Sequence, residues 1–154
     1  MEQYDALHDL LKEYIGIYEN AVKLENEKYN ASVKNDLIKL NEIISKEQVI
    51  HLQMKGLDQK REKLTLEMKM SDKTLKEIID LFDGENNVSL KSEYDRLNKA
   101  LNSLKKINDE VKTIIDVRLH RINNAMFKLK QKENTYTENS KHLNIKSSML
   151  SKKI

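Results

Sequence analysis

The four histidines of this 154-residue sequence are its candidate metal ligands and its candidate proton shuttles at neutral pH. They are His8, His51, His120 and His142, and no two lie close enough to form a short His-containing zinc motif. The chain contains no cysteine, which excludes thiolate ligands and a cysteine nucleophile. We therefore expect the histidines to lie on helix surfaces, and we predict neither a metal nor a cofactor.

Phosphate binding and acid–base catalysis are also disfavoured. A phosphate-binding loop needs clustered glycines, whereas Gly16, Gly56 and Gly84 stand alone. Carboxylates are plentiful but alternate with lysines along helical faces, and this pattern indicates no cleft that would raise a carboxyl pKa for catalysis. We do not expect an enzyme.

The composition indicates which elements must position the remaining residues. The sequence has no proline, no tryptophan and three glycines, while 34% of its residues are charged and 38% are hydrophobic. A fold of many strands needs glycine and proline at its turns, so we predict an all-α protein of long helices with narrow apolar stripes. No window approaches the roughly 18 apolar residues of a membrane span, and the acidic amino terminus does not resemble a signal peptide. We expect a cytoplasmic protein without membrane insertion.

Two long helices are predicted in the first half of the chain, over about 2–33 and 36–70. Asn35 and Asp36 offer a cap for the second helix. In both segments apolar residues recur at alternating steps of three and four, as in helices packed side by side. The first stripe consists of Leu7, Leu10, Tyr14, Ile17, Ala21, Leu24 and Ala31, and the second of Leu40, Ile43, Ile50, Met54, Leu57, Leu64 and Met68.

Glu47 and Arg61 interrupt the second stripe. If the two helices form an antiparallel hairpin that turns near Lys34, Arg61 lies opposite the start of the first helix. Asp5 and Asp9 are then its expected partners, because a buried guanidinium must be hydrogen-bonded. We interpret both residues as structural and register-setting.

Three further elements follow. They are a short helix over about 72–82, capped by Ser71 or Asp72, a loop over 83–87, and a third long helix over about 89–132. The stripe of this third helix has Asn108 as a polar member and widens from Ile107 onward. An apolar stripe that is wider than one helix–helix contact requires can bury a second partner, such as another polypeptide, or it can pack on both other helices of the chain. We assign 1–132 to a single helical domain and 133–154 to a flexible polar tail.

Charge is distributed unevenly along the chain. Residues 1–30 hold 3 basic and 7 acidic side chains, a net charge of −4, whereas residues 89–132 hold 11 and 5, a net charge of +6. Attraction between the first and third helices explains this pattern without a nucleic acid. Asp109, Glu110 and Asp116 also interrupt the basic face, and Tyr94 and Phe127 are too few for a base-stacking surface. We predict no nucleic-acid binding.

In their order along the chain, several stretches resemble the FlgN family of flagellar type III export chaperones. They are Leu10-Leu11…Tyr14…Tyr18, Asn35-Asp36-Leu37…Leu40, Glu47-Gln48…Ile50…Leu57…Arg61…Leu64, Thr74-Leu75…Ile78-Ile79, Leu97-Asn98…Leu101…Leu104…Ile107-Asn108 and the Thr135-Tyr136 start of the tail.

This resemblance implies a cytoplasmic chaperone that binds the C-terminal helical segments of the hook–filament junction proteins FlgK and FlgL. Such a chaperone prevents their premature association and delivers them to the cytoplasmic domain of the export-gate protein FlhA. In that family the C-terminal half grips the client, and a tail tyrosine, here Tyr136, contributes to docking at the gate. The client-binding face implied for this chain is Val111, Ile114, Ile115, Leu119, Ile122, Met126 and Leu129.

The residues leave one other function open, a homo-oligomeric coiled-coil scaffold or adaptor without an export client. The thermal stability of such a scaffold would rise with its own concentration and would not respond to FlgK or FlgL. A homodimer is compatible with either function.

Overall fold

The computed structural model describes the backbone of residues 1–139 and the side chains of residues 1–136. Within this range the chain forms four α-helices and no strand, which confirms the all-α prediction. The helices are α1 (Glu2–Lys34), α2 (Leu37–Glu67), α3 (Leu75–Ile79) and α4 (Gly84–Asn139). The chain divides into two units, Met1–Ile114 and Ile115–Ile154, which we describe separately. None of the described helices is long and apolar enough to cross a membrane.

The first unit is built on a hairpin of α1 and α2. Asn35 ends α1 in the left-handed conformation with φ 58°, and the backbone N–H of Asp36 donates to the carbonyl of Ala31 at 2.9 Å. The Asp36 carboxylate then accepts from the backbone N–H of Lys39 at 3.0 Å. This bond satisfies a donor that the first turn of α2 leaves unpaired, so the predicted cap is confirmed.

The apolar stripes of α1 and α2 meet α3 and the first part of α4 in two core clusters. Burying a leucine or isoleucine side chain contributes roughly 1.5–3 kcal/mol, so these clusters dominate the stability of the unit. Charge complementarity supports the packing, since the Arg96 guanidinium on α4 donates to both carboxylate oxygens of Glu19 on α1, at 2.8 and 3.0 Å. The larger cluster contains Leu7, Leu10, Leu11, Tyr14, Ile15, Leu57, Met68, Ile78, Ile79, Leu90 and Leu97, and the smaller contains Ala21, Leu24, Ala31, Ile43 and Ile50.

The connection between α2 and α4 differs from the predicted one in its details. The short helix spans Leu75–Ile79 rather than 72–82, and its cap is Thr74 rather than Ser71 or Asp72. The Thr74 hydroxyl accepts from the backbone N–H of Glu77, and the Glu77 carboxylate accepts from the backbone N–H of Thr74. This reciprocal capping box satisfies two unpaired donors, which a single serine or aspartate cap does not.

The long helix α4 begins and ends outside its predicted bounds of 89–132. It begins at Gly84, with φ +61°, inside the predicted 83–87 loop. The Asn87 side chain donates to the carbonyl of Ile79 at 2.9 Å, which ties the first turn of α4 to α3. The helix ends at Asn139, so residues 133–139 are helical. Residues 140–154, the remainder of the predicted tail, lie outside the described residues.

Candidate functional site

The second unit carries an exposed apolar stripe on α4. Its residues alternate at steps of four and three, so they lie on one face of the helix. Four of its five residues are exposed, from 37% at Ile115 to 60% at Leu129, and Met126 is half-buried. A contiguous apolar surface of this kind on a highly charged chain is typical of a site for a partner. The stripe consists of Ile115, Leu119, Ile122, Met126 and Leu129.

The predicted client-binding face also included Val111 and Ile114, which belong to the first unit. There Val111 is almost completely buried, at 2% exposure, and Ile114 is half-buried. The two residues therefore differ in environment from the stripe of the second unit, although all seven follow one sequence pattern.

Basic residues dominate the surroundings of the stripe. Between residues 115 and 136 the chain holds five basic side chains and two acidic ones, Asp116 and Glu133, a net charge of +3. By helical periodicity Arg118 and Lys130 lie at the two edges of the stripe. A partner whose apolar residues are flanked by carboxylates would complement this face in charge.

Tyr136 lies on the same helix face as the stripe. It is 73% exposed and stands seven residues, two turns, beyond Leu129. At 1.5 Å per residue this spacing corresponds to roughly 10 Å along the helix. The phenol thus extends the row of exposed side chains past the apolar residues.

A cleft of about 270 Å³, lined by both apolar and charged side chains, opens in the first unit between α1, α2 and α4. The Lys28 ammonium donates to the Glu47 carboxylate at 2.7 Å and lies 3.7 Å from Glu25. His51 and Asn108 complete its charged and polar lining. The structure therefore brings together Glu47 and Asn108, two of the three polar stripe residues singled out in the sequence.

The pKa values of the two carboxyl groups that line this cleft are shifted in opposite directions. Burial raises the pKa of Glu25 to about 7, and its hydrogen bond with Glu47 adds to the rise. Burial also acts to raise the pKa of Glu47, but hydrogen bonds from Glu25 and Lys28 outweigh it and hold that pKa below its usual value. Glu25 therefore keeps a proton in the acidic range, while Glu47 is ionised and paired with Lys28.

Glu25 and Lys28 were not among the predicted site residues. Lys28 is the one polar position within the apolar stripe of α1, just as Glu47 interrupts that of α2. In an antiparallel hairpin that turns at 34–36, these two positions lie nearly opposite each other. The sequence signal that identifies this pair is therefore a polar residue at matching positions in the apolar stripes of the two helices.

Arg61, the third polar stripe residue, lies elsewhere, and its predicted partners are wrong. Its side chain is 40% exposed, and the carboxylate against it is Asp58, at 4.0 Å one turn earlier on α2, rather than Asp5 or Asp9. Asp58 also accepts a hydrogen bond from the Tyr14 hydroxyl at 2.8 Å. The hairpin register places Asp58 beside Tyr14, while Lys60 rather than Arg61 lies on the side of α2 that borders Asp9.

Within residues 1–136 no group of three or more histidine or acidic side chains is arranged to hold a metal ion. An all-α fold with an exposed apolar helix face is suited to binding another polypeptide, as amphipathic helices bind in apolar grooves.

Comparison with known proteins identifies the family. The family model described as FlgN protein matches residues 1–144, nearly the whole chain. The chain therefore belongs to the FlgN family, which is a family of flagellar export chaperones rather than of enzymes. No curated protein matches the chain, and no solved structure does.

Proposed function

We propose that this chaperone binds the C-terminal helical segments of the hook–filament junction proteins FlgK and FlgL in the cytoplasm. The observation that carries the proposal is the exposed apolar stripe from Ile115 to Leu129 on α4. An amphipathic client helix can lay its apolar side on such a face, and this interface needs no catalytic group. Covering the client's apolar side prevents its premature association.

The chemistry of the stripe suits more than one client. Met126 is unbranched and polarisable, so it can repack against different side chains. The net charge of +3 along residues 115–136 steers acidic flanks of a client toward the stripe. We assign the client contact to the stripe of the second unit.

Delivery to the export gate is the second part of the proposed function. We assign Tyr136 to docking on the cytoplasmic domain of FlhA. Its exposed phenol has the large apolar area and the polar tip of an interface anchor. Its position two turns beyond Leu129 leaves it outside a client helix that ends on the stripe.

A charge placed within the stripe tests client binding. Ile122→Glu should weaken binding of FlgK and FlgL C-terminal peptides by about 10-fold or more, because the new carboxylate would have to be desolvated against the apolar side of the client. Binding is measured by isothermal titration calorimetry with the full chain, and co-elution on a sizing column gives a second readout.

The matched control is Gln131→Glu, which adds the same charge to an exposed position on the opposite side of α4. It should leave binding within about 2-fold of the wild type, since exposed substitutions away from a contact have small effects. Absence of peptide binding by the wild-type chain, or equal losses in both variants, would overturn the assignment of the stripe to these clients.

A further inference from the structure

Helix α2 is apolar on two opposite sides. One side carries Ile43, Ile50 and Leu57, which are buried in the first unit. The other side faces solvent over the first half of the helix, and its apolar members are well exposed, Ile38 at 78% and Leu52 at 71%. We define this second side as the outer face of α2. It consists of Leu37, Ile38, Asn41, Ile44, Ser45, Gln48, Val49 and Leu52.

The outer face contains no charged residue, in a chain of which 34% is charged. Its polar members are Asn41, Ser45 and Gln48, which follow one another along the middle of the face. Amides and hydroxyls both donate and accept hydrogen bonds, so they can pair with copies of themselves, as charged side chains cannot. A partner for this face must be equally free of charge, because a charged group buried there would have no counterion.

We propose that the outer face of α2 is a self-association surface that binds the same face of a second copy of this chain, around a two-fold axis. In a two-fold interface the same surface of each copy contacts the other. A neutral surface whose amides can pair with each other therefore provides the uncharged partner that this face needs. With the axis between Ile44 and Ser45 and the helices antiparallel, Asn41 of one copy lies against Gln48 of the other. Leu37 of one copy and Leu52 of the other then come together at each end.

The basic C-terminal segment of the chain is a poorer occupant of this face. Residues 140–154 contain Lys141, Lys146, Lys152 and Lys153 and no acidic side chain. Laying that segment on the outer face would bring lysines to a surface with no acidic partner for them.

A charge-swap experiment tests both the surface and its register. The full-length chain should dimerise, as measured by sedimentation equilibrium and light scattering. Asn41→Lys alone and Gln48→Glu alone should each weaken dimerisation by about 10-fold or more, because each buries a charge opposite a neutral amide. The double variant should recover to within about 3-fold of the wild type, since each lysine then faces a glutamate of the other copy.

Both positions are exposed, and their neighbours three and four residues away on α2 carry no ionisable carboxylate or ammonium group. The two substitutions are seven residues apart, so they do not pair within one helix. Recovery in the double variant therefore reports contact between copies. Gln53→Lys, an exposed position off the outer face, is the matched control and should dimerise as the wild type does.

Two results would overturn the proposal. One is a wild-type chain that stays monomeric up to high micromolar concentration, and if Asn41→Lys then abolishes capture of a client peptide, the face belongs to that client. The other is a dimer that Asn41→Lys leaves intact. Loss of client binding through the stripe of α4 leaves the proposal standing, because the two surfaces lie on different helices.

Discussion

At the scale of single residues, the proton on Glu25 links stability to pH. This carboxyl has a pKa of about 7 in the folded chain against 4.5 without its surroundings, because it is buried, with 7% of its surface exposed, beside Glu47. Between these two pH values the folded state binds more protons than the unfolded state. The stabilisation that this proton gives the folded state is therefore complete below pH 4.5 and is lost as the pH rises through 7.

Glu25→Gln should remove this dependence, since glutamine can still donate to Glu47 but does not titrate. We expect the free energy of unfolding of the variant to increase relative to that of the wild type as the pH rises from 5 to 8. The increase should be about 2 kcal/mol after allowance for solvent screening. The measurement is urea unfolding of both proteins at both pH values, in which titration of other groups cancels. A difference that stays constant with pH would show that Glu25 is ionised throughout.

At the scale of helices and their ends, the capping box of α3 supports a five-residue helix that buries Ile78 and Ile79. Thr74→Ala removes the side-chain acceptor and should lower the free energy of unfolding by about 1 kcal/mol. Ser71→Ala is the matched control, because Ser71 occupies the predicted capping position but does not cap the helix. Thermal or urea unfolding measures both, and equal effects would contradict the assigned cap.

The helices themselves followed from sequence periodicity, because a buried stripe needs one apolar residue every three or four positions. The cap at Asp36 followed as well, since an aspartate after a stripe is a strong local signal. The bounds of α4 did not follow from the sequence, because a chain without proline has no residue that must stop a helix. The early start at Gly84 also depends on a contact with α3 that local sequence does not encode.

The candidate site was predictable only in part. The stripe from Ile115 to Leu129 was visible as a widened apolar pattern, although its exposure was not. The partners of polar residues depend on the register between helices, which periodicity leaves free by several residues. For this reason the sequence predicts the wrong carboxylate partners for Arg61 and does not identify Glu25.

At the scale of the whole molecule, the client and the export gate are assigned to neighbouring parts of one helix. We expect Tyr136→Ala to weaken association with the FlhA cytoplasmic domain by about 10-fold or more, as truncation of an aromatic anchor does. FlgK and FlgL peptides should bind within about 2-fold of the wild type, because they occupy the stripe and not the tyrosine. Biolayer interferometry against both ligands measures the two affinities.

Phe127→Ala controls for loss of an exposed aromatic ring, since Phe127 is 62% exposed and lies off the stripe. It should change neither affinity. Equal losses of both ligands in Tyr136→Ala would show that the tyrosine belongs to the client surface and is not a separate docking residue.

The helical state of residues 115–136 has a further thermodynamic consequence. Because α4 already presents the stripe as a helix, the chaperone does not lose backbone entropy by forming it when a client arrives. The ordering cost then falls on the client segment, whose folding buries apolar surface on both chains. The heat capacity of the complex should therefore be lower than that of the separate components, and most of the decrease comes from the client's own folding rather than from the chaperone.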